Sequence, residues 1–416
     1  MKPVIAADVA LRKSRPGRRA GVALAVGGAL LLTAACGGSG GGGTAAAGGG
    51  GGDKPAAAPS SEAPKTSAAV LTVLPKDGSA DVSPKDALSV SVASGTLTAV
   101  QVTDKNGAAV AGDISADGLS WKPSAALAVG TSYHVSAQAK DSAGLVSAAT
   151  SSFTTLTPAK VAAATDNISD NGTYGVGMIV SVNFTKAIKN KADVLKGITI
   201  EASDHTQVKG HWFGSTRLDF RPEKYWAPGT KVTIHYKLKS VEVSPGVYGD
   251  VDRDEPFTIG RSKISTADLA TDMMTVKKGG STTTIPITGG NDDNPSWNGT
   301  MVISSKEKVT RMNSATVANV VGSEYDVPDV PHAMRLTASG TYVHGNYWSN
   351  FFGKSNASHG CISMQDAKGG DDGSTAGKFF ADSMVGDVVK IVNSKNGKTV
   401  SADNGLSGWT LPWSAW

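Results

Sequence analysis

A mainly β fold class is predicted by three observations. Short runs alternate apolar and polar residues, as in Leu88–Val92 and Val180–Phe184. Glycine, proline, aspartate and asparagine break those runs at close intervals. One stretch also repeats itself. Leu119-Ser-Trp121-Lys-Pro123, six residues, Gly130-Thr131-Ser-Tyr133-His-Val135 matches Leu218-Asp-Phe220-Arg-Pro222, six residues, Gly229-Thr230-Lys-Val232-Thr-Ile234. Period-two patterning with turn punctuation is the signature of half-buried strands.

The first 36 residues read as export machinery. A basic stretch to Arg19 precedes an apolar run, Ala20 to Ala35, that ends at Cys36. Leu31-Leu-Thr33-Ala34-Ala35-Cys36 resembles a bacterial lipobox, with Thr33 where Leu is usual; its cysteine would take a diacylglycerol. An ordinary secretory signal cut nearby is the alternative, and Arg18-Arg19 also fit a twin-arginine signal. The chain has 40 basic and 36 acidic residues, a formal charge of +4. Setting aside the leader's six Lys and Arg and its Asp8 leaves 34 basic against 35 acidic, a net of −1. Such a balance gives no electrostatic reason to bind nucleic acid. No later segment offers the roughly 20 apolar residues of a membrane span. Residues 37–67 are Gly, Ala, Pro and Ser with few apolar side chains, and they cannot bury a core. They read as a disordered tether with a reach of roughly 30 Å. The implied location is the outer face of the cell membrane, lipid-anchored and facing the cell wall.

The two repeat copies define the next units, 68–157 and 158–260. Each closes on a Phe-Thr strand, at Phe153-Thr154 and Phe257-Thr258. Their size and patterning predict two immunoglobulin-like sandwiches. No cysteine pair crosses either one, so hydrophobic packing must hold them, with Trp121, Trp212 and Trp226 read as packing residues. From 261 to 395 the pattern stays β-rich. Strands are expected at Thr284–Ile287, Thr300–Ser304, Gly340–His344 and Val385–Val392, and a helix around Gly377–Met384. The tail, 396–416, carries Trp409, Trp413 and Trp416. That much apolar area predicts that it folds back along the 261–395 unit or the preceding sandwich.

The chemistry is concentrated in Tyr342-Val-His344-Gly-Asn-Tyr-Trp348 and Ser358-His359-Gly360-Cys361-Ile-Ser363. Cys361 is the only cysteine beyond Cys36. Thiolate is the reactive form of cysteine, and a nearby imidazole can remove the thiol proton. Gly360 lets the backbone bend so that amides can face a developing oxyanion. This is equipment for covalent acyl transfer. A zinc site built from His344, His359 and Cys361 is the chemical rival, but it lacks the usual paired spacing. His332 is expected either at the cleft or merely exposed, and residues around 324–338 are placed as a lid.

The two motifs resemble the active site of the L,D-transpeptidases, whose catalytic domain is of the YkuD type. Asp252–Gly260, Trp348 and the Gly405-Leu-x-x-Trp409-x-x-Pro-Trp413-x-x-Trp416 tail are similar to actinobacterial members with a lipoprotein-like signal and two immunoglobulin-like domains. The resemblance covers roughly 68–416. It implies attack by Cys361 on a peptidoglycan tetrapeptide stem, with D-alanine leaving and a thioester remaining. An amine of a second stem would then complete a 3→3 cross-link. It further implies that His344 is the base and that Gly360 and Cys361 supply oxyanion amides, with Tyr342 or a nearby tyrosine as a further donor. Ser358, His359 and Gly360 would shape the nucleophile turn, and Tyr342, Ser358, His359, Ser363 and Trp348 are candidate substrate contacts. Ser363 stands where many members have Asn. The partners implied are donor and acceptor stems and carbapenem inhibitors, and no cofactor or metal is implied. Two alternatives stay open: an L,D-carboxypeptidase using the same thioester, and a non-catalytic wall-binding protein.

Overall fold

The computed structural model describes residues 65–316 and 325–416. The leader, Cys36 and the tether to residue 64 lie outside the described residues. Among those described, no helix is long and apolar enough to cross a membrane.

The repeat seen in the sequence is a repeat of buried positions. Trp121 and Phe220 are both buried, as are Tyr133 and Val232, and Val135 and Ile234. In the first copy, strands Val70–Leu74, Ser89–Ala93, Ser120–Pro123 and Gly112–Ile114 form one sheet. Ser79–Val82, Val146–Thr155, Ser132–Lys140 and Thr96–Asp104 form the other. Val90, Trp121, Val135, Ala137 and Phe153 fill the space between them. The second copy likewise packs Val180–Phe184 and Arg217–Pro222 against Lys231–Lys237 and Asp252–Ile259. Trp226 is buried there and donates Nε1–H to Met178 O at 2.8 Å.

Among the described residues nine strands follow: β1 (Lys263–Asp268), β2 (Met273–Lys278), β3 (Ser281–Pro286), β4 (Gly299–Val302), β5 (Ser305–Asn313), β6 (Asp326–Arg335), β7 (Tyr342–Asn346), β8 (Ile362–Gln365) and β9 (Val388–Val392). One sheet runs β3-β2-β1-β9-β4 and the other β5-β6-β7-β8. Met274, Met301, Val389 and Ile391 from the first pack against Met334, Val343, Ile362 and Met364 from the second, together with Phe379 of the helix Thr375–Ala381. Ser374 caps that helix by accepting from Gly377 N–H at 2.9 Å. The stretch at 326–335, expected as a lid, is strand β6.

The tail lies on the second sandwich. Trp409 Nε1–H donates to Gly177 O at 2.7 Å, and Trp416 Nε1–H donates to Lys209 O at 2.9 Å. The Arg221 guanidinium sits 4.7, 5.4 and 4.3 Å from the ring centroids of Trp409, Trp413 and Trp416. Arg217 holds Asp403 O and Gly405 O at 2.7 and 2.6 Å while pairing with the buried Asp219. Leu406 and Trp416 therefore belong to the sandwich's own core.

Candidate active site

Two neighbouring parallel strands bring the motif residues together. β7 and β8 pair with Val343 opposite Ile362 and His344 opposite Ser363, which sets Cys361 at the entry of β8. The turn ahead of it is fixed from within. Ser358 Oγ donates to Cys361 O at 2.6 Å and accepts from Gly360 N–H at 3.1 Å. Gly360 has φ +110, a region closed to most side chains. Neighbouring segments stitch the turn down: Ser296 Oγ donates to Gly360 O at 2.9 Å, and Thr288 exchanges two backbone hydrogen bonds with Ser363.

His344 and Cys361 line one cleft of about 400 Å³. Thr288, Tyr325, Asn346, Trp348, Ser358 and His359 line it with them, beside Met312, Val327 and Val330. The imidazole is buried, and Nδ1–H donates to Gly345 O at 2.7 Å. That bond fixes the tautomer and leaves Nε2 as the ring's lone pair. Burial pushes His344 down to about 4, against the opposing pull of the Gly345 carbonyl and Asp366. Burial pushes the Cys361 thiol up to about 11, with the Tyr342 backbone N–H acting the other way. The Sγ proton is directed to Gly340 O at 3.7 Å. Acid and base thus rest neutral on one cleft, a state suited to proton transfer during attack rather than to a standing thiolate.

The remaining candidates divide. Trp348 is 48% exposed and stacks on His344 at 6.0 Å. Ser358 and His359 reach the cleft, and the His359 ring lies 5.0 Å from that of Tyr325. Ser363 is corrected as a direct substrate contact. It is fully buried behind the cleft, where its Oγ accepts from Asn346 Nδ2 at 3.3 Å. Asn346, two residues past His344 and so on the same face of β7, lines the cleft in its place, with Oδ1 accepting from Trp348 N–H at 3.0 Å. The Gly360 amide, expected to face an oxyanion, is engaged by Ser358 Oγ, so Gly360 contributes its backbone conformation. Tyr342 presents its backbone N–H to the thiol, and its ring packs beside Met312, Val330 and Ala333. The tyrosine on the cleft is Tyr325, whose phenol burial raises to about 12, keeping it a donor. His332 is neither exposed nor in the cleft but wholly buried. Among the described residues no three His, Cys, Asp or Glu side chains are grouped to hold a metal. Sequence alternation could have found Asn346; nothing in the sequence marks Tyr325.

A family model described as L,D-transpeptidase catalytic domain matches residues 238–369, and one described as bacterial Ig domain matches 79–242. The chain is 32% identical over 358 residues to L,D-transpeptidase 2 of Mycobacterium tuberculosis, covering 85% of this chain and 84% of that protein. It is 27% identical over 355 residues to L,D-transpeptidase 5 of the same species, covering 83% and 76%. Among solved structures, L,D-transpeptidase LdtMt1 in complex with imipenem is 28% identical, covers 55% of this chain and 97% of its own, and has a TM-score of 0.47.

Proposed function

The chain belongs to the L,D-transpeptidase family, and from that membership we propose a residue-level mechanism for this peptidoglycan acyltransferase. One observation carries it: His344 and Cys361 share a cleft, and the His344 tautomer is fixed by the Gly345 carbonyl. Cys361 Sγ attacks the carbonyl between the L-centre of diaminopimelate and the terminal D-alanine of a donor stem. His344 Nε2 takes the thiol proton and passes it to the departing D-alanine amine, and a thioester remains. The side-chain amine of an acceptor stem attacks the thioester, giving up a proton to His344, which returns it to sulfur. The product is a 3→3 cross-link. The Cys361 amide and the Tyr325 hydroxyl are the oxyanion donors of this reading.

Trp348, Ser358, His359 and Asn346 are assigned to the stem peptide because they line the same cleft. Carbapenems, as acylating lactams, would trap Cys361 in the same way. Cys36 is assigned to lipidation on its Ala34-Ala35-Cys36 context, which would anchor the enzyme on the outer membrane face with the 37–67 tether as spacer.

Intact mass after carbapenem treatment tests the nucleophile. One adduct, absent in Cys361→Ala, is expected, and an unmodified folded wild type would sink the reading. Incubation with tetrapeptide stems then separates a cross-linked dimer from the tripeptide that water would release in a carboxypeptidase.

A further inference from the structure

Behind the catalytic strand lies an acid–histidine pair that the motif does not include. His332 and Asp366 both have side chains with 0% exposure, and His332 Nδ1 lies 2.7 Å from Asp366 Oδ2. The other Asp366 oxygen accepts from the Ala367 and Asp371 backbone N–H groups at 2.8 and 2.9 Å. Every one of these bonds is one that a carboxylate accepts. His332 Nε2 faces Asp372 Oδ1 at 3.0 Å, and Asp372 Oδ2 in turn pairs with Lys308 at 2.8 Å. His332 holds a φ of +48, a left-handed backbone uncommon outside glycine but one that histidine, like Asn and Asp, adopts more readily than most residues. The surrounding bonds keep it there.

What connects this pair to the reaction is its position. Asp366 packs so closely on Gly345 that a Cβ there would overlap Oδ2. Gly345 supplies the carbonyl that receives His344 Nδ1–H. Asp366 N–H also donates to Asn346 O at 3.2 Å, tying it to the same strand. A single peptide group therefore stands between the buried carboxylate and the imidazole. We propose that Asp366, fixed by His332, is the positioning carboxylate of the His344–Cys361 pair. It acts through the Gly345 peptide to orient the ring and to stabilise the imidazolium that forms when His344 takes the thiol proton. The inference rests on the assignment of Cys361 as nucleophile and His344 as base.

The groups facing the pair are few. Asp372 and Lys308 stand on the solvent side, and Asp371 contributes its backbone. Lys306 lies 4.3 Å over Phe380, whose ring is 5.1 Å from that of His332. On the cleft side the neighbour is His344 itself, whose protonated form the Asp366 charge favours. Removing that charge makes His344 a weaker base.

The test is the second-order rate of Cys361 acylation by a carbapenem across pH, in the full chain, with melting and thiol counts beside it. Asp366→Asn should lower the plateau about tenfold and move the acid limb down by about one pH unit. His332→Asn tolerates positive φ and offers an amide N–H where Nδ1 stands, so it should retain most of the rate and the limb. If Asp366→Asn does not fold, the exposed Asp372→Asn should, with a smaller shift in the same direction. An unmoved limb in the folded variant, whether the rate is kept or lost, overturns the proposal and leaves the pair purely structural. Wild type that is not acylated at all overturns the Cys361–His344 assignment and this inference with it. Acylated wild type with an unmoved variant limb overturns the inference alone.

Discussion

At the residue scale, burial sets the reactivity. His344 at about 4 and Cys361 at about 11 are both neutral over the whole neutral range. The acylation rate should therefore be level across that range and fall about tenfold per unit below pH 4, where the protonated imidazole can no longer accept. A stopped-flow pH series would check this. A limb near 6.5 instead would mean that the ring is wetter than its burial implies. His344→Ala should slow acylation by roughly 10²- to 10⁴-fold while the melting curve holds. Residue type and spacing single out both, because chemistry restricts which side chains can act, and the structure brings the two to one cleft. Ser363 and His332 were misplaced for a different reason. Their roles depend on which face of a strand meets the core, and the sequence around them is apolar on both sides. Tyr325 reaches the cleft through the fold of β5 and β6, about which the motif is silent.

At the scale of elements, the nucleophile turn depends on one backbone conformation. A Cβ at Gly360 would meet open space, its nearest neighbour being Asn294 O at 3.8 Å, so the cost of Gly360→Ala is conformational rather than steric. About 1–2 kcal/mol of strain is expected, with acylation reduced more than stability because Cys361 is carried on that turn. Paired melting and acylation measurements would check it; equal losses in both would make the turn merely structural. Strand bounds show how far local patterning reaches. Val180–Phe184 is the strand the alternation predicts. The expected Gly340–His344 begins instead at Tyr342, because Gly340 at φ +102 closes a turn. Val385–Val392 begins at Val388, after Gly386 at φ +93. Gly386 sits among apolar residues, where periodicity does not see a turn, whereas Ser339-Gly340 is itself a turn signal, which places the strand start after it. The helix expected around Gly377–Met384 is Thr375–Ala381. The six-residue helix Lys191–Lys196 is too short to show a period in the sequence.

At the scale of the whole molecule, the hydrophobic cores are divided unequally. The first sandwich has its own, and one bond between the sandwiches runs from Val129 N–H to Ser240 Oγ at 3.2 Å. The second shares its core with Leu406 and Trp416 of the tail and with Val302 of β4. Calorimetry should resolve a separate transition for residues 68–157. Trp416→Ala should cost about 3 kcal/mol, a fall of roughly 6–12 °C in the other transition, with the first left in place. A single transition shifting as one would contradict the division.

That shared core also imposes an order in time. A growing chain delivers residues 158–260 well before residues 406–416, so the second sandwich waits, with Phe213 and Arg221 uncovered, for the indole of Trp416. Its closure marks that the catalytic sequence in between has been made, and a chain cut short after Cys361 would leave the defect open more than a hundred residues upstream of the break.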